Sequence, residues 1–406
     1  MIKRINVASG RPVERLAHYS RALRAGDMVL QSGTTAIDRQ GNVHGAGDVV
    51  RQVDAIMRIV EWSMGKAGGR LEDVVRSRIY VTDPAVADRA ARAVARYFAD
   101  ERPAATLVVV SGLARPAQLV EIEFDAVDGA RRAARRISSG RAIEETYAYS
   151  RAVRVGDRVL ISGSTALTPK GVVEGRGDMY RQTRQTWDTI LAALAEAGGT
   201  PGDLVYTKTF VTDVSKAPEH TRAWLEALGD VRPASTLLAI PALLHPDMLV
   251  EIEAEAIIGA AASRRDLYTA RQREKPRGYA RAVVAGDLVH VSGCTSMSDV
   301  GEPRAPGDWA AQYDLAHEVI RDALDQAGAG LGDVIRRRVF TVAGAEVNRP
   351  YGEGPSLYAA SCPASLGCRI AGLARPELLV EVEVTALRGA HAGIEWIEPD
   401  PHDPLE

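Results

Sequence analysis

Residues 19–33 read YSRALRAGDMVLQSG, residues 149–163 read YSRAVRVGDRVLISG, and residues 279–293 read YARAVVAGDLVHVSG. The same word returns at an offset of 130 with no slippage, and its surroundings keep step. Upstream lie Glu14, Glu144 and Glu274. Downstream come Gln52, Gln182 and Gln312, then Pro103, Pro233 and Pro363, and finally the carboxylate pairs Glu121/Glu123, Glu251/Glu253 and Glu381/Glu383. Self-similarity at a fixed period reports a repeated structural unit. A unit of 130 residues is too long for a solenoid repeat, so each copy needs its own hydrophobic core. Domains over residues 1–130, 131–260 and 261–390 follow, leaving 391–406 as a tail rich in Pro, Asp and Glu that is expected to drape over the surface.

Within the word, Gly26-Asp27, Gly156-Asp157 and Gly286-Asp287 separate two strand-like runs, the mark of a tight hairpin. Asp48, Asp178 and Asp308 stand immediately before helical periodicity and are placed to cap the first turn. One apolar face then runs through Val49, Val53, Ile56, Met57 and Val60, and through Met179, Thr183, Trp187, Ile190, Leu191 and Leu194 in the second copy. A middle strand is expected at 74–81, 205–211 and 334–341, a second helix from Ala85 to Phe98, and two closing strands. The order β, ββ, α, β, α, ββ predicts an α+β domain with both helices on one face of a sheet. A threefold arrangement of the copies would cover the open faces and make the chain an intramolecular pseudo-trimer. In the third copy Pro350, Gly352, Gly354 and Pro355 cannot sustain the second helix, so an ordered loop of similar length is expected, either as a lid or as decay of a scaffold copy.

The chain carries 50 basic and 53 acidic residues over 406 positions, so its charge gives no reason to expect a nucleic-acid partner. No run of 18 consecutive apolar residues occurs, and the opening MIKRINVASG does not resemble a signal segment; cytoplasmic residence without membrane attachment is the expectation. The linkers are basic, with Arg131, Arg132, Arg135 and Arg136 in one and Arg264 and Arg265 in the other, and are read as solvated connections between acidic surfaces. Cys294, Cys362 and Cys368 lack the spacing of a metal site or a disulfide framework and are read as packed thiols.

The sequence YSR, GD and SG, followed by a capped helix, VTD, Pro-Ala and VEIE, resembles the Rid family, also called YjgF/YER057c/UK114. That family was once labelled endoribonuclease L-PSP and is best known for 2-iminobutanoate/2-iminopropanoate deaminase. The resemblance implies a chorismate-mutase-like fold and a trimer with three intersubunit clefts. It places the catalytic glutamate at Glu121, Glu251 and Glu381, and the hydrolysis expected here uses no metal or organic cofactor. Imine deaminases of the family carry Arg directly after Pro-Ala, where this chain has Ala105, Ser235 and Ser365.

Replacement cations are available. Arg21, Arg151 and Arg281 follow the tyrosines, and Arg78, Lys208 and Arg338 keep a positive charge on the middle strand. Either set could grip a carboxylate; the alternative for the first is pairing with Glu14, Glu144 and Glu274. Glu121 and Glu123 point to one face of their strand, where one could activate water or both could tie the domains together. Tyr19, Tyr149 and Tyr279 are candidates to orient substrate, and amides near Leu107, Leu237 and Gly367 to hold an oxyanion. Cys294, four positions after His290, is a weak nucleophile candidate, and His290 itself reads more simply as a core imidazole.

The function expected is hydrolysis of a C=N or related activated bond in a small metabolite by Glu-activated water. The alternatives are a small-metabolite-binding or scaffold protein and, more weakly, an endoribonuclease. With the threefold interface already satisfied inside one chain, the assembly expected is a monomer or a dimer of pseudo-trimers.

Overall fold

A computed structural model describes residues 2–271, 273–349, 353, 357–399 and 404–405. The chain is α+β and its architecture repeats. The first unit contains β1 (Arg4–Val7), a short helix α1 (Pro12–Leu16), β2 (Ala22–Ala25), β3 (Met28–Gln31), α2 (Val49–Lys66), β4 (Val74–Val81), α3 (Pro84–Ala95), β5 (Ala104–Val109) and β6 (Val120–Val127). After α4 (Ala130–Ala133) the second unit has β7 (Arg135–Ile137), α5 (Ala142–Thr146), β8 (Ala152–Val155), β9 (Arg158–Ser164), α6 (Met179–Glu196), β10 (Leu204–Val211), α7 (Ala217–Leu228), β11 (Ala234–Ala239) and β12 (Val250–Ile257). The third contains β13 (Arg265–Leu267), β14 (Ala282–Ala285), β15 (Leu288–Cys294), α8 (Trp309–Ala327), β16 (Val334–Val342), β17 (Ala364–Ile370) and β18 (Val380–Leu387), and the chain goes on to β19 (Ile394–Ile397).

Each sheet places the closing strand in the middle, in the order β1-β2-β3-β6-β4-β5 for the first unit, with its counterparts in the others. The tight turns hold Gly26, Gly156 and Gly286 at positive φ, as the hairpin requires. Asp48, Asp178 and Asp308 accept from first-turn amides of α2, α6 and α8. One face of α2 buries Val49, Val53, Ile56, Met57 and Val60 on the sheet. In the second unit Trp187 does this work, edge-on to Trp224 of α7 at 5.0 Å.

The units close into a ring. Ala104 bridges to Ser150, Ala234 to Ala280, and Ser20 to Ala364. Apolar side chains from all three, among them Tyr80, Phe210 and Phe340, meet around the axis. The segment after residue 390 departs from the expected surface tail. Its β19 pairs in parallel with β1, so the end of the chain completes the sheet of the first unit. The unpaired edge of β1 explains this, because its backbone groups require a partner.

Among the described residues between β16 and β17 no helix forms, in line with the glycines and prolines there. Asn348 instead accepts from the Ala310 amide and donates to Asp308. Tyr358 is buried, with its hydroxyl 3.0 Å from His317. Of the segment from Pro350 to Pro355, only Glu353 lies within the described residues. The basic linkers are less solvated than expected. Arg136 reaches the Glu101 carbonyl, and Arg264 holds Asp266 at 2.9 Å and main-chain oxygens. Among the described residues no helix is long and apolar enough to cross a membrane.

Candidate functional site

The Ser-Gly pair at the end of each word is a β-bulge. Ile161 lies opposite Ala254 and Ser164 opposite Ile252, so β9 spends one more residue than β12 over that span. The bulge directs a glycine at the neighbouring glutamate. A Cβ on Gly163 would lie 2.0 Å from Glu251 Oε1, and the same atom on Gly33 or Gly293 would lie 2.1 or 1.8 Å from Glu121 or Glu381. The glycine is required by close approach, because only a residue without a side chain leaves room for the carboxyl.

Glu121, Glu251 and Glu381 are buried, and among the described residues none of their carboxyls has a hydrogen-bond or ion-pair partner. Burial pushes each up to about 8, partly offset by the arginine at Arg21, Arg151 or Arg281 and reinforced by the charge of the glutamate two residues on. These groups are therefore mostly protonated at neutral pH. Glu123, Glu253 and Glu383 share the strand face but not the environment. Their carboxyls are also buried, yet surrounding cations hold them well below the ordinary range.

Those cations include Arg78, Lys208 and Arg338, which corrects the expectation that they reach a substrate. Arg78 donates to Glu253 at 2.7 Å and to Glu123 at 3.2 Å. Lys208 lies 2.7 Å from Glu383, and Arg338 spans Glu123 and Glu383. The set is an ion network around the pseudo-threefold axis. It ties each unit to its neighbours through Glu123, Glu253 and Glu383, whereas the interdomain alternative assigns that role to both glutamates of each pair.

The arginines of the repeated word are committed as well. Arg151 donates through Nε to Glu144 at 3.1 Å, through Nη1 to the Gly163 carbonyl and Ser164, and through Nη2 to Tyr149 Oη at 2.6 Å. Arg21 and Arg281 repeat the pattern with Glu14 and Tyr19, and with Glu274 and Tyr279. They hold the bulge and the tyrosine in place, and a role as the principal substrate clamp does not fit that commitment. Since each tyrosine oxygen accepts from its arginine, the phenolic proton is left to donate elsewhere.

The Pro-Ala strands provide the opposite wall. The Ala105 amide donates to Ser162 Oγ and the Val109 amide to the Ala242 carbonyl. Alternation along β5 aims the intervening Leu107 amide across the same edge. Leu237 and Gly367 occupy the same register position, between Ser235 and Ala239 and between Ser365 and Arg369.

The cleft between the first two units is open. It encloses about 850 Å³, counting its mouth, and brings together Glu251, Tyr149, Arg151 and Gly163 of one unit with Ser77, Ala105 and Leu107 of the other. Val94, Phe98, Leu167 and Met248 supply apolar walls. Arg141 also lines it, anchored on the Leu167 carbonyl, Ser139 and Thr189. Sequence reasoning missed this side chain, although Arg11, Arg141 and Arg271 recur at the repeat offset and would have been found by it.

The other two clefts differ. Between the second and third units Trp224 stands at the repeat position of Val94, and its indole donates to the Gly278 carbonyl at 3.0 Å. A Cβ on Gly278 would meet that ring at 2.8 Å, so the indole packs directly on the backbone of the next unit. Between the third and first units Arg337 replaces Ser77, bridging Ser365 Oγ and the Ala17 carbonyl. The three clefts are therefore lined differently. Cys294, Cys362 and Cys368 are free and buried, and Cys294 Sγ accepts from Arg281.

A ring of α+β units with carboxyl-bearing clefts between them defines a pseudo-trimeric small-molecule fold. The chain belongs to the family described as Endoribonuclease L-PSP, whose pattern matches residues 10–128, 139–258 and 272–388. An uncharacterized protein of Streptomyces coelicolor is 36% identical over 132 residues, spanning 32% of this chain and 97% of its own. A 3-aminoacrylate deaminase, RutC, of Acinetobacter baylyi is 34% identical over 122 residues, or 30% of this chain and 95% of its own. A crystallised Mycobacterium tuberculosis member of the YjgF/YER057c/UK114 family is 38% identical, covering 31% of this chain and 99% of its own with a TM-score of 0.28.

Proposed function

We propose that the protein hydrolyses a C=N or related activated bond of a small metabolite, and that the cleft between the first two units performs the reaction. The observation that carries this reading is an open cleft that brings together a buried carboxyl without a hydrogen-bond partner among the described residues, a phenol and a strand amide. Glu251, raised to about 8, gives its proton to the imine nitrogen and so makes the carbon electrophilic. The resulting carboxylate takes a proton from the attacking water, and the carbinolamine formed collapses to carbonyl and ammonia. Tyr149 donates to the substrate, and the Leu107 amide stabilises oxygen charge as it develops. The deaminase name of one relative agrees in reaction class. The absence of arginine at Ala105 calls for a substrate other than that of the arginine-bearing imine deaminases.

Ammonia release from a panel of imines generated in situ tests the reading. Turnover by the wild-type protein that is lost in Glu251→Gln supports it, and no turnover of any imine refutes it. A second reading, ligand binding without turnover, is favoured by Trp224 and Arg337, which change the walls of the other two clefts so that the three copies do not keep one common site. Saturable binding of an imine analogue with no ammonia released would select it.

A further inference from the structure

A second cavity opens on the pseudo-threefold axis, away from the interdomain clefts, and encloses about 600 Å³ counting its mouth. All three units line it. In an assembly of identical chains each lining position would carry the same residue three times. Here the copies have diverged: Leu30, Leu160 and His290 share one position, and Asp125, Glu255 and Thr385 another.

The divergence leaves polar groups unused. His290 is 3% exposed, and its Nε2 has no hydrogen-bond partner among the described residues. Glu255 spends Oε1 on Arg76 and Arg78, whereas Oε2 lies 3.9 Å from His290 Nε2. That separation is too long for a direct hydrogen bond and leaves room for a bridging atom. Thr385, opposite His290 in the β15–β18 ladder, lines the same space. Tyr206 stacks on the imidazole at 5.4 Å, and Met28, Leu30, Leu160 and Leu288 form an apolar collar.

We propose that this axial cavity binds a primary alkylammonium, its head bridging Glu255 Oε2, His290 Nε2 and Thr385 Oγ1 and its alkyl tail packed on the collar. Glu255, His290 and Thr385 thus offer the cavity three acceptors, the number that the three N–H donors of an ammonium call for. Although burial pushes the Glu255 carboxyl up, the guanidiniums of Arg76 and Arg78 hold it below the ordinary range, so it accepts as a carboxylate. Burial keeps the His290 ring neutral, with one nitrogen free to accept. The arginines that line the cavity are already engaged: Arg336 pairs with Glu123 and Asp125, Arg338 with Glu123 and Glu383, and Arg158 with Asp27.

Titration of the full chain with butylammonium, butanol and butyrate, followed by NMR of the histidine rings, tests the proposal. Butylammonium should saturate with one equivalent per chain and shift the His290 resonances, while butanol and butyrate bind at least tenfold more weakly. His290→Leu restores the residue carried by the other two copies, so it should fold normally and lose at least tenfold in butylammonium affinity. If that variant proves unstable, the His290 shift in the wild-type protein decides alone. Equal binding by all three probes, preference for butyrate, unchanged affinity in folded His290→Leu, or saturation without a His290 shift would each overturn it.

Discussion

Glu251→Gln should stabilise the protein at pH 9 and leave its stability nearly unchanged at pH 5. The folded chain holds the Glu251 proton more tightly than the unfolded chain, because burial raises the carboxyl from 4.5 to about 8. Below the unfolded value both states are protonated, and stability is at its full level. Between 4.5 and about 8 the unfolded state releases the proton while the folded state keeps it, so stability falls as pH rises. Above that window both are ionised, and the loss is complete. At about 1.4 kcal/mol per pKa unit the whole displacement is worth ~5 kcal/mol, which structural relaxation and water entry reduce to an expected ~2–5 kcal/mol. Glutamine cannot ionise, so the variant avoids this loss while Glu121 and Glu381 continue to contribute theirs in both proteins. Urea denaturation at pH 5, 7 and 9 reads the difference directly. A gap between variant and wild type that stays constant with pH would refute the buried-carboxyl assignment.

Gly163→Ala places a methyl 2.0 Å from Glu251 Oε1 and should displace the carboxyl, costing ~1–3 kcal/mol in denaturation and most of the imine turnover. Arg338→Met leaves Glu123 and Glu383 short of a buried cation, and equilibrium unfolding should record a loss of ~3–5 kcal/mol. Tyr149→Phe keeps the ring but removes the donated proton, so kcat/KM for the imine that turns over should fall about tenfold, and the Arg151 donor left without its acceptor should cost ~1–3 kcal/mol in denaturation.

The fold was legible because the repeat shows the same elements in step, and because the Gly-Asp turns and Asp caps have local causes. The site was legible only in part. Tyr149 could be named as a candidate from the repeated word and Glu251 from the repeated carboxylate pair, but the reason for Ser-Gly lies in a bulge facing another strand. Strand parity separates the cations. Arg78 and Tyr80 share a face that turns to the axis, while Ser77 and Ile79, one residue away, line the cleft. No property of one copy distinguishes these faces, because the axis exists only when three copies meet. Trp224 illustrates the same limit: at a helical position it reads as core, and its effect on the neighbouring cleft depends on Gly278 of the next unit. The β1–β19 pairing joins residues at opposite ends of the chain, and the tail's composition conceals it.

The most direct test of the central claim is steady-state ammonia release by Glu121→Gln, Glu251→Gln and Glu381→Gln, each made singly. Loss of a general acid–base group lowers the rate by roughly 10²–10⁴. Such a loss in Glu251→Gln, with the other two variants within a few fold of wild type, is the result expected if the cleft between the first two units performs the reaction. Wild-type turnover by Glu251→Gln, or an equal loss in Glu121→Gln or Glu381→Gln, would contradict it.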